Sequence, residues 1–193
     1  MDPTNRDKIK FMFRRFFSRR KKRLQKSPQK SPRLRFTVDH RTQQNLSRLD
    51  PAVQPIMREV TQIAKGVAKT FNLDVSVISG YRSYEEQAAL YAKGRTALGS
   101  IVTYAKPGFS NHNFGTAIDF GIFAGGKYLD SREPGLTNRV YQAIWNNIEA
   151  EGLPIEWGGN WKRLKDTPHF EYRTGLSLAE MRERKEAGLP IVT

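Results

Sequence analysis

The chain contains no cysteine. Disulfides and thiolate metal sites are therefore excluded, and any metal must be held by nitrogen and oxygen. No apolar run approaches the roughly 20 residues that a membrane-spanning helix needs. No apolar segment follows the paired arginines near the start either, so a cleavable secretory signal is not expected. The protein is expected to be made in the cytoplasm and to reach its place of action by another route. There is no internal repeat. Histidine is scarce, with only three in 193 residues: His40, His112 and His169.

Acidic residues are scarce in one region only. Residues 1–35 hold 14 Lys/Arg against 2 Asp/Glu, a charge of +12, whereas residues 36–193 hold 19 against 17, a charge of +2. This asymmetry marks a basic appendage on a nearly neutral domain. Within the appendage, Ile9, Met12, Phe13, Phe16 and Phe17 follow the i, i+3, i+4 spacing of one helical face, surrounded by Arg14, Arg15, Arg19, Lys21, Lys22 and Arg23. A basic amphipathic helix suits an anionic membrane or lipopolysaccharide surface. The alternatives are a solubilising tail or a nonspecific nucleic-acid arm. The two Ser-Pro steps at 27–28 and 31–32 then give an extended linker. The expected division is residues 1–35 as appendage and 36–193 as a single, monomeric domain, too neutral to be a nucleic-acid binder.

The domain mixes helix and strand signals. Asp50-Pro51 is a helix start, followed by Val53, Ile56, Val60, Ile63, Val67 and Phe71 as a core-facing stripe. Residues 74–79 alternate as a strand. Ser83 with Glu86, and Ser177 with Glu180, form capping boxes that open helices ending at Gly94 and Gly188. The second of these is expected to be peripheral, or an exchangeable tail. Residues 95–109 form a loop or short hairpin. Residues 137–151 carry a second core stripe, and 154–157 a short strand.

The chemistry gathers at two stretches. In Ser110-Asn111-His112-Asn113-Phe114-Gly115-Thr116-Ala117-Ile118-Asp119, Ile118, Phe120 and Ile122 share one strand face and Asp119 points to the other. In Asp166-Thr167-Pro168-His169-Phe170-Glu171, His169 and Glu171 again share a face. Two histidines and a carboxylate suit a catalytic zinc, which takes three protein ligands and leaves a position open. Two histidines and an aspartate in a chain also occur with no metal between them, and there is no short His-x-x-x-His pair to strengthen the pattern. His40 fits no motif and is expected to be exposed.

Residues 110–119 match the S-x-H-x-x-G-x-A-x-D pattern of the zinc D-Ala-D-Ala peptidases, which include L-alanyl-D-glutamate endopeptidases of phage endolysins. Ser79-Gly80-Tyr81-Arg82-Ser83 resembles the family's S-G-Y-R-S segment, and Trp157 to Glu171 its closing W-x-x-x-W…D-x-P-H-F-E segment. The resemblance spans about residues 50–172 and leaves out the appendage. It implies an α+β fold, a small mostly antiparallel sheet carrying zinc with helices packed on one side. It implies His112, Asp119 and His169 as zinc ligands, and Arg82 over the metal, engaging the substrate carbonyl. Two carboxylates compete for the role of general base, Asp166 and Glu171. The dipeptidase branch has glutamate at the place of Asp166, the endolysin branch aspartate, so the resemblance assigns Asp166. Glu171 is then a partner orienting a histidine. Ser110 is expected near the substrate or the ligands, or as a turn residue. Trp157 and Trp161 either line the cleft or fill the core.

The implied function is hydrolysis of the peptidoglycan stem peptide in the cell wall, at the L-alanyl–D-glutamate bond. The alternatives are a D-alanyl-D-alanine carboxypeptidase and a non-catalytic, zinc-stabilised binding module.

Overall fold

The computed structural model describes residues 35–130 and 132–192. The amphipathic helix and linker expected within residues 1–34 lie outside the described residues.

Five strands form one sheet in which every pairing is antiparallel. The path runs β1 (Asp74–Ser79), β2 (Ala117–Ala124), β5 (His169–Tyr172), β4 (Ile155–Trp157), with β3 (Lys127–Tyr128) paired to β2. One face of the sheet is apolar. Val75, Val77, Ile118, Phe120, Ile122, Ile155 and Phe170 all lie at 1% exposure or less. Helices α2 (Gln54–Thr70) and α4 (Pro134–Ala150) pack against this face and against each other. The opposite face of β2 therefore remains for polar side chains, Asp119 among them. This is the α+β arrangement expected, with helices on one side of a small antiparallel sheet.

Three local details differ from the expectation. Regular helix α2 begins at Gln54, because Asp50 first closes a turn, its carboxylate accepting from the Ala52 N–H at 2.9 Å. The centre of the buried stripe of α2 is Met57, Val60, Ala64 and Ala68, with Ile56, Ile63 and Val67 only half-buried along its edge. Phe71, at the helix end, is exposed at 38%. Helix α4 starts at Pro134, three residues before the expected Thr137, since proline is well suited to a first helical position.

Helix α1 (His40–Ser47) has no counterpart in the sequence reading. It is polar and short, with only Thr42 and Leu46 buried. It is held by Asp39, whose carboxylate accepts from Thr42 N–H at 2.9 Å, Thr42 Oγ1 at 2.7 Å and Ser76 Oγ at 2.9 Å. Burial works to raise the Asp39 pKa, but these bonds outweigh it and hold the carboxyl below its ordinary value. Thr42 Oγ1 in turn accepts from the buried Val77 N–H at 3.0 Å, so one hydroxyl bridges the cap and edge strand β1. Thr42→Val keeps the volume and leaves Val77 without its acceptor. A loss of about 1–3 kcal/mol is expected, the usual result of an unsatisfied buried donor. Urea denaturation checks it, and an unchanged midpoint would contradict the bridge.

Candidate metal centre

Three side chains converge on the polar face of β2. Asp119 is the Cα partner of His169 across the β2–β5 pairing and of Ser79 across β1–β2. His112 comes from a 3-10 turn (Asn111–Phe114) that enters β2 through Gly115, at φ +70°. A side chain there would also meet the Asp50 nitrogen at 2.6 Å, so the approach of the Leu49–Asp50 backbone requires glycine. His112 Nε2 lies 3.2 Å and His169 Nδ1 3.1 Å from Asp119 Oδ1. The three potential ligand atoms lie within 4.8 Å of one another.

The second nitrogen of each imidazole is committed elsewhere. His112 Nδ1 is 2.7 Å from the Gly80 carbonyl oxygen. A carbonyl only accepts, so Nδ1 carries the proton and the Nε2 lone pair faces Asp119. His169 Nε2–H donates to Glu171 Oε2 at 2.8 Å, which turns Nδ1 inward. Glu171 is itself fixed by Asn111 Nδ2 at 2.6 Å. Ring nitrogens locked outward by a carbonyl and a carboxylate are the arrangement that metal-binding histidines use. Donor atoms about 2.1 Å from a tetrahedral ion stand a little over 3 Å apart, which these distances match. The set therefore fits a metal ion.

The electrostatics agree. Burial works to raise the Asp119 pKa, but the two histidines outweigh it and hold the carboxyl well below its ordinary value. Burial opposes the charge on His169, yet its bonds to Asp119 and Glu171 push its pKa up to about 10. Asp119 thus favours a positive charge beside it, whether a proton on an imidazole or a bound cation.

Arg82 sits at the junction of β1 and α3 (Tyr84–Ala92), where Ser83 and Glu86 form the expected capping box. Its Nη2 stands 3.8 Å from Asp119 Oδ2 and donates to Ser79 Oγ at 3.0 Å. Its Nη1 donates to Gln87 Oε1 at 2.8 Å. Gln87, fully buried, also donates to the Ala105 carbonyl at 2.7 Å, linking Arg82 to the loop before the metal turn.

Asp166 is half-buried, and the His169 N–H donates to its carbonyl at 3.2 Å. Burial first, and the charge of Asp119 second, raise its pKa. Gly158 passes so close that a side chain on it would meet the Asp166 carbonyl oxygen at 2.5 Å and the His169 Cβ at 3.1 Å. Ser110 precedes the 3-10 turn and makes no side-chain cap bond there.

Trp157, for which cleft and core were both open, fills the core. It is 3% exposed and stacks between Trp145 and Phe170, and its Nε1 donates to the Thr167 carbonyl at 2.7 Å. Its place in β4 turns it to the apolar face of the sheet. Trp161 is the aromatic at the site, its ring centre 5.0 Å from that of His169. His40 is exposed at the start of α1 and is not among the converging side chains.

Sequence reasoning passed over Asn111, Gln87 and Asn113. Their signal was faint: single polar residues outside any motif's key positions, with partners up to 60 residues away in the chain.

An imidazole and a carboxylate on one sheet face, with a second imidazole from the turn that leads into it, suit a metal-dependent hydrolase. A family profile described as D-alanyl-D-alanine carboxypeptidase matches residues 103–172. The peptidoglycan L-alanyl-D-glutamate endopeptidase CwlK of Bacillus subtilis (strain 168) is 41% identical over 123 residues, 62% of this chain and 72% of that protein. Among solved structures, the L-Ala D-Glu endopeptidase ChiX of Serratia marcescens aligns over 75% of this chain and 93% of its own, at 26% identity and a TM-score of 0.48. The D,D-pentapeptidase VanY of a VanB-type vancomycin resistance cassette, solved with Zn(II), aligns over 74% and 81%, at 16% identity and a TM-score of 0.38. The chain belongs to the D-Ala-D-Ala metallopeptidase family.

Proposed function

We propose that this chain is a zinc-dependent peptidoglycan peptidase that hydrolyses the stem peptide between L-alanine and D-glutamate. The observation that carries the metal reading is the pair of locked imidazoles facing Asp119. The choice of bond rests on the likeness to CwlK.

In this reading His112, Asp119 and His169 hold the zinc. Bound there, zinc supplies a Lewis acid for the substrate carbonyl and makes water more acidic. The chain's own groups do the rest. Asp166 takes the proton from the attacking water and returns it to the leaving amine, and its raised pKa suits that exchange. Arg82, steered by Gln87 and Ser79, offers a permanent positive charge to the oxygen that becomes negative. Glu171 keeps the His169 ring in place, and itself is kept by Asn111. Ser110 and Trp161 border the bound peptide.

The site of action is the cell wall. Residues 1–35, with charge +12, are assigned on sequence grounds to an anionic membrane or lipopolysaccharide surface. No helix among the described residues is long and apolar enough to cross a membrane.

Digestion of purified peptidoglycan, followed by mass spectrometry of the new termini, tests the function. The expected products carry a new amino-terminal D-glutamate and a new carboxy-terminal L-alanine. Release of free D-alanine instead would make the chain a carboxypeptidase, the activity in the profile's description. No new termini would leave only a binding module.

A further inference from the structure

Helix α5 (Leu178–Glu186) lies outside the residues that the family profile matches. It was expected to be peripheral or exchangeable, and it opens with the expected capping box at Ser177. Its side chains nevertheless grip the segment that carries His112. Lys185 Nζ donates to the Asn113 carbonyl at 2.7 Å, and Arg182 Nη1 to the Gly108 carbonyl at 2.9 Å. One helix thus holds a carbonyl on either side of His112. Phe114 packs with Met181 and Ile191 in a second apolar cluster, distinct from the main core. The Lys185 ammonium also lies 4.4 Å from the centre of the Tyr84 ring, 5.4 Å from that of Tyr81 and 5.7 Å from that of Phe114. Three rings around a cation fix it by charge–quadrupole attraction and leave it little freedom to move.

Asn113 passes this grip onward. It is fully buried, its Oδ1 accepts from the Gly108 N–H at 3.0 Å, and its Nδ2 donates to the Arg82 carbonyl at 2.9 Å. The Arg82 N–H donates to the His112 carbonyl at 3.0 Å. Backbone groups of Arg82 and His112 therefore hang from the same turn. A 3-10 turn of four residues has weak hydrogen bonds of its own and needs outside support to hold an imidazole still.

We propose that α5 is the positioning element of the metal centre, with Lys185 as the positioning residue that acts on His112 and Arg82 through Asn113. The inference rests on the metal-centre reading above. Lys185 is not one of the three converging side chains, and its role in this proposal is to hold the turn.

The test uses the full chain and Zn2+ alone. Affinity is measured by competition with a chromogenic chelator well below the melting temperature, and amide hydrogen exchange of residues 108–116 is measured without metal. Lys185→Met keeps the stem and removes the donor. It is expected to weaken zinc binding, by no more than the about 10–100-fold that removing a direct partner of a ligand costs. It is also expected to speed exchange across 108–116. Lys185→Arg retains a cationic donor and is expected to restore most of both. Arg184→Met is the control, since Arg184 bonds the Pro190 carbonyl instead. Arg182→Met gives a second variant should Lys185→Met fold poorly. Folded Lys185→Met and Arg182→Met proteins with parental zinc affinity and parental exchange would overturn the proposal and leave the metal centre standing. A parent chain that binds no zinc would sink the metal reading, and the exchange of 108–116 would still decide whether α5 holds the turn.

Discussion

Asp119→Ala is expected to release the metal and to leave no measurable peptidase activity. Asp119 is the hub of the cluster: both histidines face its Oδ1, and Arg82 faces its Oδ2 at 3.8 Å. Its loss removes one of three ligands together with the negative charge that keeps the two imidazoles and the guanidinium together. Loss of an outer support costs about 10–100-fold in metal affinity, and loss of a ligand should cost more. The fold should survive, because Asp119 faces away from the apolar core while its neighbours Ile118 and Phe120 are fully buried. Metal content after dialysis, by atomic emission, is the measurement. His40→Ala should keep its metal. An Asp119→Ala protein that retains one metal per chain would contradict the site.

Asp166→Ala is expected to keep its metal and lose turnover by about 10²–10⁴-fold, the range of general acid–base catalysis. Asp166 stands beside the cluster, its carbonyl accepting from the His169 N–H at 3.2 Å, and burial first, then the charge of Asp119, raise its pKa. It is not one of the three converging ligands, so metal should stay. Glu171→Gln should be milder, because glutamine retains an oxygen to accept from His169 Nε2. Turnover and metal content of the two variants, side by side, settle the assignment. If Glu171→Gln loses more turnover than Asp166→Ala with metal held in both, the base is Glu171.

The strands were legible because they depend on short-range pattern, whereas the cluster was legible only through the resemblance of the motifs around its residues to those of a known family. Alternation through Ile118, Phe120 and Ile122 sets Asp119 on the polar face, and the structure buries those three residues completely. The two capping boxes were equally local, each a serine with a glutamate three residues later. What could not be read is what depends on distant partners. Asn111 meets Glu171 across 60 residues, and Lys185 meets Asn113 across 72. No spacing rule links such pairs before the sheet order is known. Helix α1 escaped because it is short and polar, with only Thr42 and Leu46 buried, and so carries little apolar pattern. Gly158 looks like part of a loop, and only the approach of the Asp166 carbonyl shows why it must be glycine.

The most direct test of the central claim is anomalous diffraction at the zinc absorption edge, from crystals of the full chain grown with equimolar zinc. One strong peak per chain is expected, bounded by His112 Nε2, Asp119 Oδ1 and His169 Nδ1. A peak elsewhere, or none among these three side chains, would contradict it.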